Sequence, residues 1–129
     1  MLSLRLQWLW LGIGALGIGL AFLLSLWPHG APGLENVPDK VQHLTGYAMV
    51  VLWFGGLVRP RYYLAVCLGA VLLGGAIELL QGLTSTRQAD WADEWANASG
   101  ALLGVVGAVL GGGGWARTLE RFLGFPAAR

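Results

Sequence analysis

The sequence predicts an all-α, polytopic membrane protein, four transmembrane helices in a compact bundle, and three observations lead to that reading. Charged residues make up 12% of the 129, about half of what a soluble domain uses to cover its surface, while hydrophobic residues make up 56%. Charge-poor stretches of spanning length recur four times along the chain. The 21 glycines and 7 tryptophans suit helices that pack closely and carry anchors in the membrane interface. The formal charge of +1, with no run of Lys or Arg, leaves no footprint for nucleic acid. The apolar content excludes a disordered tail, and the lone Cys67 excludes both a disulfide framework and a cysteine-based metal site.

Residues 6–27 form the first predicted span, lying inside an uncharged stretch between Arg5 and Glu35. At 1.5 Å per residue the run covers about 33 Å, enough for a hydrocarbon core of roughly 30 Å. It is longer than the apolar region of a signal peptide and exits through Pro28, His29 and Gly30 without a clean cleavage site, so it reads as a retained helix. Pro28, Pro32 and Pro38 make the following segment a linker. The second span, 41–58, ends at Arg59-Pro60-Arg61, and the third, 62–83, contains one acid, Glu78. A polar loop leads to the fourth span, 95–112, which runs into Gly111-Gly112-Gly113-Gly114. Residues 115–125 then alternate Arg117 and Arg121 with Trp, Leu and Phe, the pattern of a short interfacial helix. With no internal repeat, residues 1–129 read as one domain.

An even number of spans puts both termini on one side, where Arg5, Arg59, Arg61, Arg117, Arg121 and Arg129 gather, against Lys40 and Arg87 on the other. The positive-inside rule makes both termini cytoplasmic in an inner, multi-pass membrane protein. Six acids, Glu35, Asp39, Glu78, Asp90, Asp93 and Glu94, then lie on or near the outward side. Glu35 and Glu94 read as solvated loop charges.

The other acids fall on helix faces. Asp39, His43 and Tyr47 stand at i, i+4 and i+8, with Gly46 nearby to admit a neighbour. Glu78 lies about 24 Å along its helix, inside the bilayer, where a charge needs a partner or a proton. Gly74 and Gly75 share nearly its face, and Gln81 follows one turn on. Asp93, Asn97, Gly100 and Gly104 form a stripe whose Gly100-x-x-x-Gly104 is a close-packing motif. Asp93 is suited to capping the fourth helix or to holding a ligand. Arg87 has the fork for Glu78, for Asp93 or for an anion.

In this order, Asp39-Lys40-x-x-His43-x-x-x-Tyr47, then Glu78-Leu79-Leu80-Gln81, then Arg87, Asp93, Asn97, Gly100 and Gly104, these residues resemble the VanZ-like family of small membrane proteins. The likeness covers residues 39–104, about half the chain. It departs at Ser85-Thr86, where members often carry Pro-Gly before the arginine, so the shape of that loop is not carried over. The family is named for a protein linked to teicoplanin resistance, and the resemblance implies a role in the bacterial cell envelope without implying a reaction.

Two classes of function follow. In the first, an outward pocket of Asp39, His43, Tyr47, Glu78, Gln81, Arg87, Asp93 and Asn97 binds the head of a lipid-linked or cell-wall component whose tails stay in the bilayer. In the second, an intramembrane hydrolase or transferase uses His43 as general base with Asp39 and Glu78, and Arg87 steadies an anion. No cofactor and no metal are expected. A metal version would draw on Asp39, His43, Glu78 and Asp93, a set with more oxygen than zinc usually takes and closer to magnesium or calcium. A transporter fits less well, because Glu78 lies away from the midplane. The partner is the lipid bilayer itself, and the faces of Gly46, Gly74, Gly75, Gly100 and Gly104 serve packing within one chain or between copies.

Overall fold

The computed structural model describes residues 1–27, 32–83 and 90–125, and they form five helices with no strand among them. These are α1 (Gln7–Ser25), α2 (Asp39–Gly55), α3 (Tyr63–Gly82), α4 (Trp91–Gly107) and α5 (Trp115–Phe122). A single 3-10 turn, Pro60–Tyr62, leads into α3, where Pro60 occupies a position that needs no intrahelical N–H. A wide turn, Ala108–Gly112, follows α4 and is broken at Gly111, whose backbone is not helical.

Three helical segments are long and apolar enough to cross a membrane: Gln7–Ser25, Pro60–Gly82 and Trp91–Gly112. The expected count of four is therefore corrected to three. The helix that falls short is α2, whose 17 residues reach about 25 Å and whose first turns carry Asp39, Lys40, Gln42 and His43. It stops at Gly55 rather than continuing to Val58, and Gly56 is covered by the Trp115 indole so closely that a Cβ there would collide with the ring. The fourth helix begins at Trp91, earlier than expected, because the Asp90 side chain caps it by accepting the Ala92 N–H at 2.8 Å. Asp93, which the sequence suits to capping or to holding a ligand, does not cap the helix but lies inside it. Three such apolar helices in one chain point to a multi-pass membrane protein, and their surfaces agree. Leu72 and Leu110 are 75% and 81% exposed, and Leu16, Leu20, Leu64 and Leu102 also face outward.

What is buried is small. Val51, Cys67, Ala70 and Ala101 form a thin core between α2, α3 and α4, with Tyr47, Val50, Val66, Val71 and Val105 packed against it. Without a hydrophobic driving force in lipid, helices associate through close packing and polar contacts. Gly100 and Gly104 supply the first. A Cβ on Gly104 would lie 2.6 Å from the Ala48 carbonyl oxygen and 2.7 Å from the Val51 Cβ, and one on Gly100 would run into the Leu44 carbonyl.

At one end of the bundle the N-terminal residues, the α2–α3 connection and α5 converge. The Leu2 N–H donates to the Leu57 carbonyl at 2.9 Å. Glu120, 4% exposed, accepts the backbone N–H groups of Arg5 and Leu6 at 2.9 and 2.8 Å and the Trp10 indole N–H at 3.0 Å. It thereby fills the donors left open where α1 begins. Trp10, Trp53 and Trp115 pack edge to face or tilted, with centroids 4.6 to 6.4 Å apart. Each indole N–H is satisfied: Trp53 donates to the Trp10 carbonyl and Trp115 to the Trp53 carbonyl, both at 3.2 Å. The reversal from α4 into α5 depends on Gly111 and Gly114, with φ of 134° and 75°, values that side chains rarely allow.

Burial pushes the Glu120 carboxyl up, but the Leu6, Arg5 and Trp10 donors and the Arg5 charge outweigh it and hold it below the ordinary value of 4.5. A lowered pKa in the folded state stabilises above 4.5, and that contribution is lost as pH falls through the lower folded value. Glu120→Gln is expected to cost about 1–3 kcal/mol at neutral pH. In detergent melts its Tm gap from the native chain should close as the pH is lowered below the carboxylate range; a gap independent of pH would contradict the clasp. Gly104→Ala should destabilise by about 1–3 kcal/mol through overpacking. Gly69→Ala, where a Cβ meets nothing within 4 Å, should leave the melt unchanged or raise it slightly.

Candidate functional site

The polar residues of the bundle interior gather at the opposite end, where α2 starts, α3 ends and α4 starts. Pro38 accepts the first α2 N–H groups, from Val41 and Gln42, and sets Asp39 in the opening turn, where a negative charge complements the helix dipole. One turn on, His43 reaches across to α4. Its Nδ1 lies 2.9 Å from Asn97 Oδ1, and the Asn97 Nδ2 in turn donates to Glu94 Oε2 at 3.0 Å. A carboxylate only accepts, so Asn97 must turn its NH₂ toward Glu94 and its carbonyl oxygen toward the histidine. Nδ1 therefore carries the hydrogen, and the Nε2 lone pair of the neutral ring points elsewhere. It faces two carboxylates, Asp39 Oδ1 and Asp93 Oδ2, each at 3.9 Å.

Asp93 is 7% exposed and its Oδ1 has no hydrogen-bond partner; the Lys40 ammonium stands 3.6 Å from it and 3.2 Å from Asp90 Oδ2. The Ala92 N–H and then Lys40 hold the Asp90 carboxyl below its ordinary range. Glu78 is buried, 6% exposed, and its Oε1 accepts the backbone N–H of Asp90, at the head of α4. Its Oε2 has no hydrogen-bond partner. Gln81, fully inside, donates to the Ser25 carbonyl at 2.7 Å and so ties the end of α3 to the end of α1. Gly74 provides the space for this group, since a Cβ there would come within 2.7 Å of Asn97 Nδ2 and 2.9 Å of Glu94 Oε2.

A groove of about 360 Å³ opens beside this cluster, between α1, α2 and α3. Its walls are apolar, from Ile18, Phe22, Met49, Val50, Leu73 and Ile77, and Asp39, Gln42 and His43 stand in its lining. Tyr47 and Gly46 also line it. Gly46 meets nothing within 4 Å, so it opens the groove rather than admitting a helix, and Gly75 has only ordinary contact with Glu94 at 3.8 Å.

The structure thus brings Asp39, His43, Asp93 and Asn97 into contact, sets Tyr47 on the groove wall, and gives Glu78 and Gln81 to the joints between helices. Arg87 lies outside the described residues, as does His29. Glu94, expected to be a solvated charge, holds the residue that orients His43; its i, i+3 spacing to Asn97 was the available signal. Gln42 went unnoticed too, and it fastens the approach to α2 by donating to the Val37 carbonyl at 2.9 Å. Comparison with protein-family models, with curated proteins and with solved structures gives no match.

The orientation of His43 has a direct spectroscopic consequence. Nitrogen NMR of the neutral ring is expected to show the Nδ1–H form alone. In Asn97→Val, which removes the acceptor, both tautomers should appear; an unchanged spectrum would mean that Glu94 and Asn97 do not orient the ring.

Proposed function

We propose that the chain is a VanZ-like multi-pass protein of the bacterial inner membrane, with residues 1–6 and 115–125 on the cytoplasmic side and the His43 cluster facing outward; α2, though shorter than the three apolar spans, returns the chain from the His43 end to the Glu120 end, so both ends still meet on one side. In this reading it binds a lipid-linked or cell-wall amphiphile, in a role of the glycopeptide-resistance kind. The apolar tail occupies the groove between α1, α2 and α3, and the polar head meets Gln42, His43 and Asp39.

The observation that carries the reading is the groove's composition: one apolar channel, about 360 Å³, with titratable side chains in its lining. Apolar sites with a few convergent polar groups are where small ligands bind. The interface-seeking Trp91 and Trp95, both largely exposed, stand on α4 beside the cluster, at the depth of headgroups. The arginines Arg5, Arg59, Arg61, Arg117 and Arg121 belong to the Glu120 end of the bundle, and this supports the orientation.

A second reading is an intramembrane hydrolase or transferase in which His43 is the general base. The ordered pair Glu94 and Asn97 favours it, because a base that is held in one tautomer presents a lone pair in a fixed direction. Asp39 stands beside the ring at 3.9 Å, Glu78 supports the site indirectly by holding the head of α4, and Arg87, expected to steady an anion, lies outside the described residues.

Filling the groove tests binding without disturbing the helix contacts. Native mass spectrometry of the purified chain is expected to show a retained amphiphile. Gly46→Leu, which grows into the groove where a Cβ meets no neighbour, should lose it while folding normally. An amphiphile retained by that variant would remove the binding reading.

A further inference from the structure

Three electron-pair donors face one another at the head of the cluster, on α2 and α4. The ligand atoms of Asp39, His43 and Asp93 all lie within 4.8 Å of one another. We propose that these three residues form a binding site for a divalent transition-metal ion of the Zn²⁺ or Mn²⁺ class. The proposal stands on its own geometry and does not depend on an amphiphile in the groove.

Four features carry it. The first is separation. Around a tetrahedral ion with bonds near 2.0–2.1 Å, ligand atoms lie about 3.4 Å apart. The observed 3.9 Å from His43 Nε2 to each carboxylate closes to that value with small side-chain rotations. Second is the tautomer. Metal-bound histidines donate their other ring N–H to a fixed acceptor, which aims the coordinating nitrogen and raises its basicity. Asn97, itself held by Glu94, does this for His43.

The third feature is Asp93. Nine-tenths buried, it aims one oxygen at His43 while the other makes no hydrogen bond, and a buried carboxylate needs a compensating charge. Lys40 stands 3.6 Å away with a largely exposed side chain, and it has Asp90 as a nearer partner at 3.2 Å. Fourth is rigidity. Asp39 and His43 are one turn apart on α2, and Asp93 sits on α4, so the spacing is set by the glycine-mediated contact of these two helices.

The donor set selects the ion. Imidazole beside carboxylates suits zinc and manganese, whereas magnesium and calcium prefer all-oxygen shells. Glu78, which would have made the set more oxygen-rich, is engaged with the Asp90 N–H and stands outside the group. Asp39 and His43 also line the groove, so an ion held by three protein ligands keeps open positions toward it.

The test uses the full chain in detergent, purified without a histidine tag and stripped with chelator. Zn²⁺ and Mn²⁺ are then titrated separately, with calorimetry for affinity and elemental analysis for stoichiometry. One equivalent per chain is expected. Asp39→Asn, at the more exposed ligand, should weaken binding at least about tenfold, and His43→Ala should abolish it. Asn97→Ala, which leaves all three ligands in place, should weaken it about 10–100-fold. The melting temperature of each variant without metal separates lost binding from lost fold. Bound Mn²⁺ should also broaden the His43 ring signals of the native chain, a readout that needs no variant. Absence of a stoichiometric ion, binding unchanged by Asp39→Asn and His43→Ala, or a preference for Mg²⁺ or Ca²⁺ would overturn the proposal.

Discussion

With no side chain at Gly100 or Gly104, the α4 backbone rests directly on the Leu44 and Ala48 carbonyls of α2. The rest of the architecture follows from that approach. It brings Asn97, one turn before Gly100, to hydrogen-bonding distance of His43, and it carries Asp93 to the same imidazole. A single methyl group at either glycine would push the helices apart by more than a hydrogen bond tolerates. In lipid, where apolar burial does not drive helices together, such contact is also the main source of cohesion. Packing and site geometry are therefore one constraint, and neither can be relaxed without the other.

The two ends of the bundle solve the same problem with different chemistry. Each must satisfy backbone groups at helix termini where water is scarce. At one end a single carboxylate, Glu120, takes three donors, and three indoles pack around it. There both Glu120 oxygens and all three indole N–H groups have partners. At the other, Glu78 accepts the head of α4 but keeps one oxygen without a hydrogen bond, and Asp93 does likewise. Satisfied polar groups rigidify a structure; groups left short are where chemistry can be added.

Helix order was legible because charge-poor runs broken by Pro and Gly survive translation into structure almost unchanged. The excess span came from the same signal. Residues 41–58 carry no formal charge, yet Gly55 and Gly56 end the helix there, and the reason, Trp115 lying on Gly56, sits some sixty positions away. The i, i+4 pairing of Asp39 with His43 could be read locally. The Asn97 link could not, since periodicity says which face a residue occupies and not which neighbour it meets. Glu120 was hidden for the same reason, as its partners Arg5 and Leu6 are at the far end of the chain. Asp90 and Asp93 show a finer ambiguity, because two acids at the start of one helix are equivalent as caps until the chain direction preceding them is known.

Helix α1 is fastened at its two ends, by Glu120 and Trp10 below and by the Gln81 side chain on the Ser25 carbonyl above. Along its length it buries only Trp10 and Gly14, and Gly12, Gly17 and Gly19 face no neighbour. Beyond the close contact of Gly14 with Trp53 and Phe54, the second half of the helix is lightly packed, and a rod fastened this way can bow between its fixed points. Widening of the groove beside it would then require neither of these end contacts to break and no helix to detach.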